Sequence, residues 1–278
     1  MDYSEIKLTI TPVVPFAEII MTELGDAGYD SFVETDSGLL AYIPKNQYDE
    51  EKLKAVLRSV EGCQATYELA TIPDQDWNAA WEKEHQPVMV DNFCWIYAPF
   101  HQPNPNAEYN ILIEPKMSFG TAHHPTTYMM LQLLNNELLA GKRVLDMGSG
   151  TAVLSIFAEK RGAVYVEAID NDEWAYRNAL ENLENNNCRN IKPLLGDAAL
   201  LTPDKRFDVV VANINRNILL RDMPSYISVL APGGTLLLSG FYEHDIPAIR
   251  VKAEASGLAF DHYESRQDWV AVKFRFRN

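Results

Sequence analysis

The sequence predicts an α/β protein in which a small α+β domain precedes a larger domain built on a doubly wound parallel sheet. Two observations lead to this prediction. From residue 143 onward, short apolar runs alternate with amphipathic helical stretches, as they do when helices cover both faces of a parallel sheet. The first 70 residues instead follow the order β-α-β-β-α-β. We therefore predict domains over 1–70 and 88–278, joined by a linker helix over 71–87.

The elements of the small domain follow from periodicity. Alternation of apolar and polar residues predicts a half-buried strand around Ile6–Ile10, and helical spacing predicts a helix from Phe16 to Leu24. A second helix begins at Asp49. The remaining strands are predicted at Ser31–Thr35, Leu39–Ile43 and Gln64–Ala70. This order is that of the ferredoxin-like fold, which serves many functions and by itself indicates none.

The linker helix over 71–87 is bounded by prolines. Pro73 interrupts the preceding strand and Pro87 ends the helix. Trp77 and Trp81 are four residues apart, so both rings lie on one helical face. We expect this face to pack against a core or a neighbouring domain, with a substrate-facing aromatic surface as the alternative.

The larger domain begins with two strand-like runs, Cys94–Ala98 and Tyr109–Ile113. The strands of the parallel sheet are predicted at Val144–Asp146, Tyr165–Asp170, Ile191–Leu195, Val209–Ala212 and Thr235–Ser239. The helices that separate or follow them are predicted at Val153–Lys160, Glu173–Asn185, Asn217–Leu230 and Asp245–Ala255. Two further strands, Ala259–Tyr263 and Val270–Phe276, have no helix between them, which predicts an antiparallel hairpin at the edge of the sheet.

Charge and composition exclude several classes of protein. The 278 residues include 39 acids and 24 bases, which gives a net charge of −15. Such a surface repels a phosphate backbone and attracts a basic protein, so we expect no direct nucleic-acid partner. The three cysteines show no CxxC spacing and the six histidines no metal-ligand pattern, so we predict free thiols and no metal. Because we find neither a signal sequence nor a membrane-spanning run, we expect a soluble cytoplasmic protein without a membrane partner.

The most informative motif is the turn after the first strand of the parallel sheet. Residues 144–152 read VLDMGSGTA, so an apolar strand ends in Asp146 and a turn with Gly148 and Gly150 leads into a helix. Ligands of open α/β sheets bind beyond the carboxyl ends of the strands, which places this turn in the crevice. The dinucleotide fingerprint needs a third glycine where Val153 stands. A carboxylate at Asp146 suits a polar donor, such as the amino-acid portion of S-adenosylmethionine, better than a pyrophosphate.

Acids also follow the second and third strands. Asp170 ends the second strand, where a carboxylate can accept both hydroxyls of a ribose. This feature does not separate S-adenosylmethionine from NAD, because both carry an adenosine ribose. Asp197 follows the third strand and is a candidate for the adenine edge, with a solvated turn aspartate as the alternative.

Asn213 ends the fourth strand, at the switch point of the doubly wound sheet. Its amide offers an acceptor for an amine and a donor for a cofactor carboxylate, so we predict that it binds the cofactor and aligns the acceptor. The backbone carbonyl of Ile214 is a second candidate for alignment. The alternative is that Asn213 serves as the N-cap of the following helix.

A loop before the first strand of the parallel sheet completes the candidate site. Residues 117–127 read MSFGTAHHPTT, and the helix that follows runs through Leu134. We expect this loop to fold over a cofactor as a lid, with Thr126 or Thr127 both capping the helix and binding a ligand oxygen. The adjacent His123 and His124 are candidate bases, with loop histidines of no catalytic role as the alternative.

Taken together, these motifs resemble the bacterial PrmA-type enzymes, which trimethylate amino groups of ribosomal protein eleven of the large subunit. The resemblance covers nearly the whole chain. It rests on the N-terminal domain, the linker with Asp76-Trp77 and Trp81, the FGTxxHPTT loop, the DxGxG turn and the VVAN sequence at the fourth strand. It implies a Rossmann-like seven-stranded methyltransferase domain, a ferredoxin-like substrate-recognition domain and S-adenosylmethionine as cofactor.

The resemblance also implies the cofactor contacts. They fall on Thr127, Gly148, Asp170 and Asn213, and Gly150 belongs to the same turn. Three positions depart from the family pattern. The loop usually reads GTGTHP, whereas residues 120–125 read GTAHHP, Ala152 replaces the third glycine of the turn, and Asn215 replaces a small or apolar residue. These departures concern the geometry of the lid and the placement of the substrate.

We therefore predict an S-adenosylmethionine-dependent protein-lysine N-methyltransferase that acts on a basic ribosomal protein. One alternative is a small-molecule or RNA methyltransferase on the same fold. The negative charge disfavours RNA, and the extra domain disfavours a small molecule. The other alternative is a non-catalytic regulator that binds a nucleoside, which has no need for Asn213.

Overall fold

The computed structural model of the chain describes residues 2–60, 62–72, 86–116, 120 and 122–276. It divides into two compact units, Met1–His85 and Gln86–Asn278. The linker helix predicted over 71–87, with its two tryptophans, falls mainly on residues 73–85, outside the described ranges. Within the described residues, no helix has the length and apolar composition that a membrane crossing requires.

The first unit has the predicted ferredoxin-like fold. Its strands are β1 (Tyr3–Thr11), β2 (Ser31–Thr35), β3 (Gly38–Pro44) and β4 (Gln64–Ile72), and its helices are α1 (Phe16–Asp26) and α2 (Glu50–Ser59). The sheet order is β2-β3-β1-β4, and every neighbouring pair is antiparallel. β4 is two residues longer than predicted, because Thr71 and Ile72 still pair with Ser4 and Tyr3 of β1.

Alternation along β1 builds the core of this unit. Ile6, Leu8 and Ile10 are buried, whereas Lys7 and Thr9 between them are exposed. Successive side chains of a strand point to opposite faces, so one face packs on α1 and α2 while the other remains polar. The prediction of a half-buried strand is therefore confirmed.

The second unit contains ten strands and five helices in its described part. The strands are β5 (Val88–Val90), β6 (Cys94–Tyr97), β7 (Tyr109–Leu112), β8 (Arg143–Met147), β9 (Tyr165–Asp170), β10 (Ile191–Leu195), β11 (Phe207–Asn213), β12 (Leu230–Tyr242), β13 (Leu258–Arg266) and β14 (Trp269–Phe276). The helices are α3 (Pro125–Asn135), α4 (Val153–Lys160), α5 (Glu173–Asn185), α6 (Arg216–Ser228) and α7 (Ile246–Ala255).

Seven of these strands form the predicted mixed sheet, in the order β10-β9-β8-β11-β12-β14-β13. The first five are parallel, and β14 lies between β12 and β13, antiparallel to both. The predicted terminal hairpin is confirmed, and its last strand is the one that joins the parallel part. The switch point therefore lies between β8 and β11, where the strand order reverses.

The central strands are apolar on both faces because both faces are covered. Val144 and Val211 belong to one buried cluster, and Leu145 and Val210 belong to the cluster on the opposite side. Such strands read as continuous apolar runs, which is why their positions could be predicted from sequence. The largest deviation is β12, which begins at Leu230 rather than Thr235 and includes Pro232-Gly233-Gly234, residues that typically mark a turn.

The remaining three strands form a separate small sheet, β5-β6-β7. The sequence predicted β6 and β7 but not β5, which has only three residues. β5 pairs with β6 in antiparallel fashion, whereas β6 and β7 are parallel. This sheet lies immediately before the loop that leads to α3.

Two asparagines of α5 and its C-cap residue, Asn186, hold the end of β7. Asn186 accepts a hydrogen bond from Leu112 N at 3.0 Å and donates to Leu112 O at 2.6 Å. Asn182 accepts from Glu114 N at 2.8 Å, and Asn178 donates to Glu114 O at 3.3 Å. Residues four apart on a helix share a face, so α5 binds the edge of β7 as a neighbouring strand would.

Candidate active site

The turn from β8 into α4 adopts left-handed backbone geometry at three positions. The φ angles are +70° at Gly148, +53° at Gly150 and +63° at Ala152, which is the N-cap residue of α4. Gly148 N–H donates to Ile169 O at 2.8 Å, so the turn is fixed to β9. A Cβ atom at Gly148 would overlap Ile214 Cγ2, which means that glycine is required here for packing within the protein as well as for conformation.

Asp170 organises the same turn from the end of β9. Its Oδ2 atom accepts from Gly150 N at 2.8 Å, and its Oδ1 atom accepts from Asp172 N at 3.0 Å. Each carboxylate oxygen can accept further hydrogen bonds. Asp170 is therefore fixed in position and still able to bind hydroxyl donors.

A narrow cavity of about 60 Å³ lies beside this turn. Its lining includes Gly148, Asp170, Asp197 and Ile214. The structure thus brings together the predicted glycine and the acids that follow β9 and β10. Gly150 is not among the lining residues, and its described role is the hydrogen bond to Asp170.

Asp146 lies beneath the turn rather than in the crevice that the sequence suggested. It is fully buried, and its Oδ2 atom accepts from the Ser155 hydroxyl at 2.6 Å, in the first turn of α4. Burial raises the pKa of Asp146 to about 7, the Ser155 hydrogen bond opposes that shift, and the nearby charge of Asp170 adds to it. Within the described residues, the Oδ1 atom has no hydrogen-bond partner.

Asn213 and Thr127 meet although they are 86 residues apart. The Asn213 Nδ2 atom donates to Thr127 Oγ1 at 3.4 Å, and Thr127 is buried. The Asn213 Oδ1 atom is buried and has no hydrogen-bond partner in the described part of the chain. The N-cap of α6 is instead Asn215, which accepts from Ile218 N at 3.1 Å, so the alternative interpretation of Asn213 as a cap is wrong.

A second cavity, of about 280 Å³, opens beside Asn213. Its lining includes His124, Thr126, Ile214, Gly240 and Trp269. Ile214 lines both this cavity and the narrow one beside Asp170. The Asn213–Ile214 segment therefore forms a border between two spaces at the carboxyl ends of the strands, where ligands of such sheets bind.

The loop before α3 approaches the turn after β8. Thr151 Oγ1 donates to Gly120 O at 2.8 Å, and Gly120 has a φ of +116°. A Cβ atom at Gly120 would lie 2.6 Å from Thr151 Oγ1, so this contact requires glycine. Residues 117–119 and 121 of the predicted lid lie outside the described residues.

The two histidines of this loop occupy different places. His123 Nε2 lies 2.7 Å from Gln86 O. His124 is the N-cap of α3, accepts from Thr126 N at 3.3 Å, and lies 2.7 Å from Thr126 Oγ1 through the same Nδ1 atom. Burial lowers the pKa of His124, which favours the neutral imidazole that this cap requires.

A family model described as ribosomal protein L11 methyltransferase (PrmA) matches residues 20–277. A ribosomal protein L11 methyltransferase from Bacteroides fragilis is 48% identical over 278 residues, with 99% of each chain covered. The corresponding protein from Phocaeicola vulgatus is 44% identical, again with 99% of each chain covered. The chain belongs to the ribosomal protein L11 methyltransferase family. It is therefore an S-adenosylmethionine-dependent methyltransferase, as the sequence predicted.

Solved structures agree with this assignment. The crystal structure of a ribosomal protein L11 methylase from Lactobacillus delbrueckii subsp. bulgaricus matches with a TM-score of 0.64 and 26% identity, covering 69% of this chain and all of that one. A methyltransferase from Pyrococcus furiosus shares the fold, with a TM-score of 0.52 and 19% identity. The match covers 60% of this chain and 88% of that one. The prediction of a Rossmann-like methyltransferase domain is confirmed.

Two departures from the family pattern have a common geometry. Ala122 and Ala152 stand where the family more often carries glycine, and both have a φ of +63°. Both side chains are buried, so the left-handed conformation is stabilised by packing around the methyl groups. Alanine therefore occupies at both positions a conformation that glycine adopts more readily.

Gly240 and Trp269 were not identified from sequence. A Cβ atom at Gly240 would overlap the carbonyl group of Ile214, so this glycine lets β12 approach the Asn213–Ile214 segment. A glycine inside a strand is a signal of close backbone approach, and it was available in the sequence. Trp269 carries no such signal, because only the position of β14 beside β12 brings it to the cavity.

Proposed function

We propose that this methyltransferase transfers methyl groups from S-adenosylmethionine to amino groups of ribosomal protein L11, lysine side chains among them. The family reaction is the methylation of this protein. The observation that carries the proposal is the position of Ile214 between the two cavities. A donor beside Asp170 and an acceptor beside Asn213 would meet at this border.

The residues around the narrow cavity fit the cofactor. Gly148 lines the cavity, Asp170 keeps acceptor capacity for ribose hydroxyls, and Asp197 also lines the cavity as a candidate acceptor for the adenine amino group. Thr127 and Asn213 are not among the residues that line this cavity, and Asn213 lines the neighbouring one; together they would offer a hydroxyl and an amide to the amino-acid portion. Gly150 acts through Asp170, whose carboxylate it holds in place.

Asn213 is the proposed catalytic residue. Its Oδ1 atom is a buried acceptor without a partner among the described residues, and a buried acceptor gains free energy from a donor. An N–H group of a neutral acceptor amine supplies that donor. The hydrogen bond then directs the nitrogen lone pair towards the narrow cavity, with the Ile214 carbonyl as a second acceptor.

The reaction needs a neutral amine and correct alignment. When bound, S-adenosylmethionine would supply an electrophilic methyl group on its sulfonium sulfur: the amine nitrogen bonds to the methyl carbon as the carbon–sulfur bond breaks, which leaves S-adenosylhomocysteine. A lysine ammonium, with an ordinary pKa of about 10.4, has no lone pair, and burial beside Trp269 favours its neutral form. The displaced proton passes to solvent, and positioning supplies much of the rate without a dedicated base.

The acidic first unit supports a role in substrate recognition. Residues 1–85 contain 17 acids and 6 bases, a net charge of −11 out of the −15 of the whole chain. A basic ribosomal protein is attracted to such a surface. We assign recognition to the predicted domain over 1–70, methyl transfer to the domain over 88–278, and the connection to residues 71–87. We also propose that this activity is cytoplasmic, since its proposed substrate is a ribosomal protein.

Transfer of labelled methyl groups tests the proposal. Purified protein is incubated with methyl-labelled S-adenosylmethionine and with purified L11, ribosomal RNA or a mixture of small metabolites. We expect label in L11 alone, and peptide mass spectrometry should locate it on lysine side chains. Asn213→Ala should lower kcat about 100-fold with a smaller effect on cofactor affinity.

Other outcomes would contradict the proposal in distinct ways. Label in RNA or in a metabolite would assign the protein to the corresponding alternative. Cofactor binding without transfer to any acceptor would support a non-catalytic regulator. If L11 is labelled only on groups other than amines, the proposed acceptor group is wrong, although L11 is still the substrate.

A further inference from the structure

Four aromatic rings form a continuous row that leads out of the cavity beside Asn213. Inside the cavity, the rings of His124 and Trp269 meet edge to face, with centroids 4.7 Å apart. The ring centroids of Trp269 and Tyr242 are 4.3 Å apart, and the Tyr242 ring stacks on the His244 ring with centroids 5.7 Å apart. We refer to these four residues as the aromatic row.

The outer end of the aromatic row lies in an open depression of about 620 Å³. Tyr242, Glu243, His244 and Asp268 line it, and 42% of the Tyr242 surface is exposed. The contact between Tyr242 and Trp269 connects this depression to the cavity beside Asn213. The aromatic row therefore runs from the open depression to the cavity beside Asn213.

The two carboxylates of the depression lack basic partners. Nearby Asp245 pairs with Arg216 at 3.1 Å, but neither Glu243 nor Asp268 forms an ion pair within the described part of the chain. Glu243 accepts only a neutral hydrogen bond, from the Tyr263 hydroxyl at 2.8 Å. The mouth of the aromatic row is therefore negatively charged.

Asp268 adopts left-handed backbone geometry, which aspartate tolerates better than most residue types. It forms the tip of the β13–β14 hairpin with Gln267, and their φ angles are +67° and +51°. Two-residue turns of this geometry favour Asn-Gly, because glycine adopts positive φ without steric cost. The backbone strain of this turn falls mainly on Gln267, and the turn places Asp268 among the residues that line the depression.

We propose that the aromatic row is the entry path for an extended, basic segment of the acceptor protein. Tyr242 and Trp269 pack against the aliphatic stem of the acceptor lysine, while Glu243 and Asp268 attract its ammonium group and adjacent basic residues. The inference rests on the proposed transfer to an amine. An aromatic surface suits the four methylene groups of lysine, and the two carboxylates repel a phosphate backbone.

Substitutions at Tyr242 test the role of the rings. In steady-state methylation of L11 by the full-length protein, Tyr242→Leu should raise the KM for L11 about fivefold, with a smaller change in kcat. Tyr242→Phe keeps the ring and should raise the KM less than Tyr242→Leu does. The affinity for S-adenosylmethionine, measured by calorimetry, should stay the same in both variants. An unchanged KM for L11 in Tyr242→Leu would overturn the proposal.

The carboxylates are tested with a pair of neutral variants. Asp268→Asn is compatible with positive φ, so we expect a thermal stability equal to or above that of the natural protein. The double variant Glu243→Gln and Asp268→Asn should raise the KM for L11 about tenfold at low salt and reduce its dependence on salt. Glu184→Gln, an exposed acid at the end of α5, serves as the matched control and should have no effect.

The outcomes separate this inference from the proposed function. Should the natural protein methylate another amine-bearing protein instead of L11, the same variants are measured with that acceptor, and the same rise in KM is expected. Variants that retain the natural KM, or that lose cofactor affinity in parallel, would refute the aromatic row as the entry path. If the natural protein methylates RNA and the neutral variants methylate it faster, the carboxylates of the depression repel phosphate groups of the substrate. That result would also overturn the proposal.

Discussion

Asp170 shows how one residue connects the fold with the proposed chemistry. Its two oxygens accept from the backbone of Gly150 and Asp172, so the carboxylate fixes the turn that borders the narrow cavity. The same carboxylate lines that cavity. Because the backbone donors hold it in one orientation, its remaining acceptor capacity is preorganised for a ligand.

Asp170→Ala should weaken the binding of S-adenosylmethionine about 10- to 100-fold. The reason is a net loss equivalent to about one hydrogen bond to a charged acceptor, which contributes roughly 1.5–3 kcal/mol. Isothermal titration calorimetry measures the change, with circular dichroism as the check on folding. Asp172→Ala is the control, since it removes the helix cap on Trp174 N without removing a carboxylate from the cavity. Equal affinities for the natural protein and Asp170→Ala would remove Asp170 from the cofactor site.

Asp146 predicts an unusual dependence of stability on pH. Its pKa is raised to about 7 in the folded state, above the value of about 3.9 in an unfolded chain. The folded state therefore binds the proton more tightly, so this group stabilises the protein most below pH 4 and the contribution is lost as the pH rises towards 7. The slope is at most roughly 1.4 kcal/mol per pH unit.

Asp146→Asn isolates this effect from other titrating groups. The amide of the variant does not titrate. As the pH rises from 4 to 7, the unfolding free energy of the natural protein should therefore fall relative to that of Asp146→Asn. Above pH 8 the difference should become constant. Urea denaturation at each pH measures it, and a difference that is independent of pH would contradict the raised pKa.

At the scale of elements, α5 links two parts of the site that are distant in sequence. Asn182 is fully buried and accepts from Glu114 N, at the end of β7, while it donates to Thr151 O at 3.0 Å. Thr151 belongs to the turn after β8 and also holds Gly120. One side chain of α5 therefore fixes both the small sheet and the cofactor turn.

Asn182→Ala should destabilise the protein by about 2–4 kcal/mol. The substitution leaves the N–H group of half-buried Glu114 and the carbonyl group of buried Thr151 without this partner, and each such group costs roughly 1–3 kcal/mol when it is fully buried. Urea denaturation measures the loss, and calorimetry should show weaker binding of S-adenosylmethionine because the turn is less well fixed. Asn185→Ala, an exposed change on the same helix, should alter neither quantity by a measurable amount. A similar stability of the two variants would contradict the linking role of Asn182.

The elements also show what the sequence could predict. The bounds of α4, α5, β9 and β10 agree with the predictions, because helix periodicity and apolar runs are local signals. The asparagine face of α5 could not be predicted, since its partners lie about 70 residues earlier in the chain. Asp170 and Asn213 could be predicted as site residues because they stand at strand ends, which is a local signal. Trp269 could not be predicted, because only the strand order brings it to the cavity.

At the scale of the whole molecule, charge is distributed unequally between the two units. The first unit carries a net charge of −11, whereas residues 86–278 contain 22 acids and 18 bases. The candidate cofactor residues all belong to the second unit. Because every lysine presents the same amine, the second unit needs an additional contact surface in order to select one protein, and the charge of the first unit is suited to a basic substrate over a Debye length of about 8–10 Å.

Removal of the first unit should therefore separate binding of the cofactor from selection of the substrate. The fragment over residues 86–278 should bind S-adenosylmethionine within about threefold of the full chain, because it contains both cavities. Its kcat/KM for L11 should fall at least about 100-fold, whereas transfer to a free lysine derivative should change little. In the full chain, added salt should raise the KM for L11 without weakening the cofactor, since screening acts on the long-range attraction between proteins. A fragment that methylates L11 as efficiently as the full chain would assign the first unit a structural role and place selection in the second unit alone.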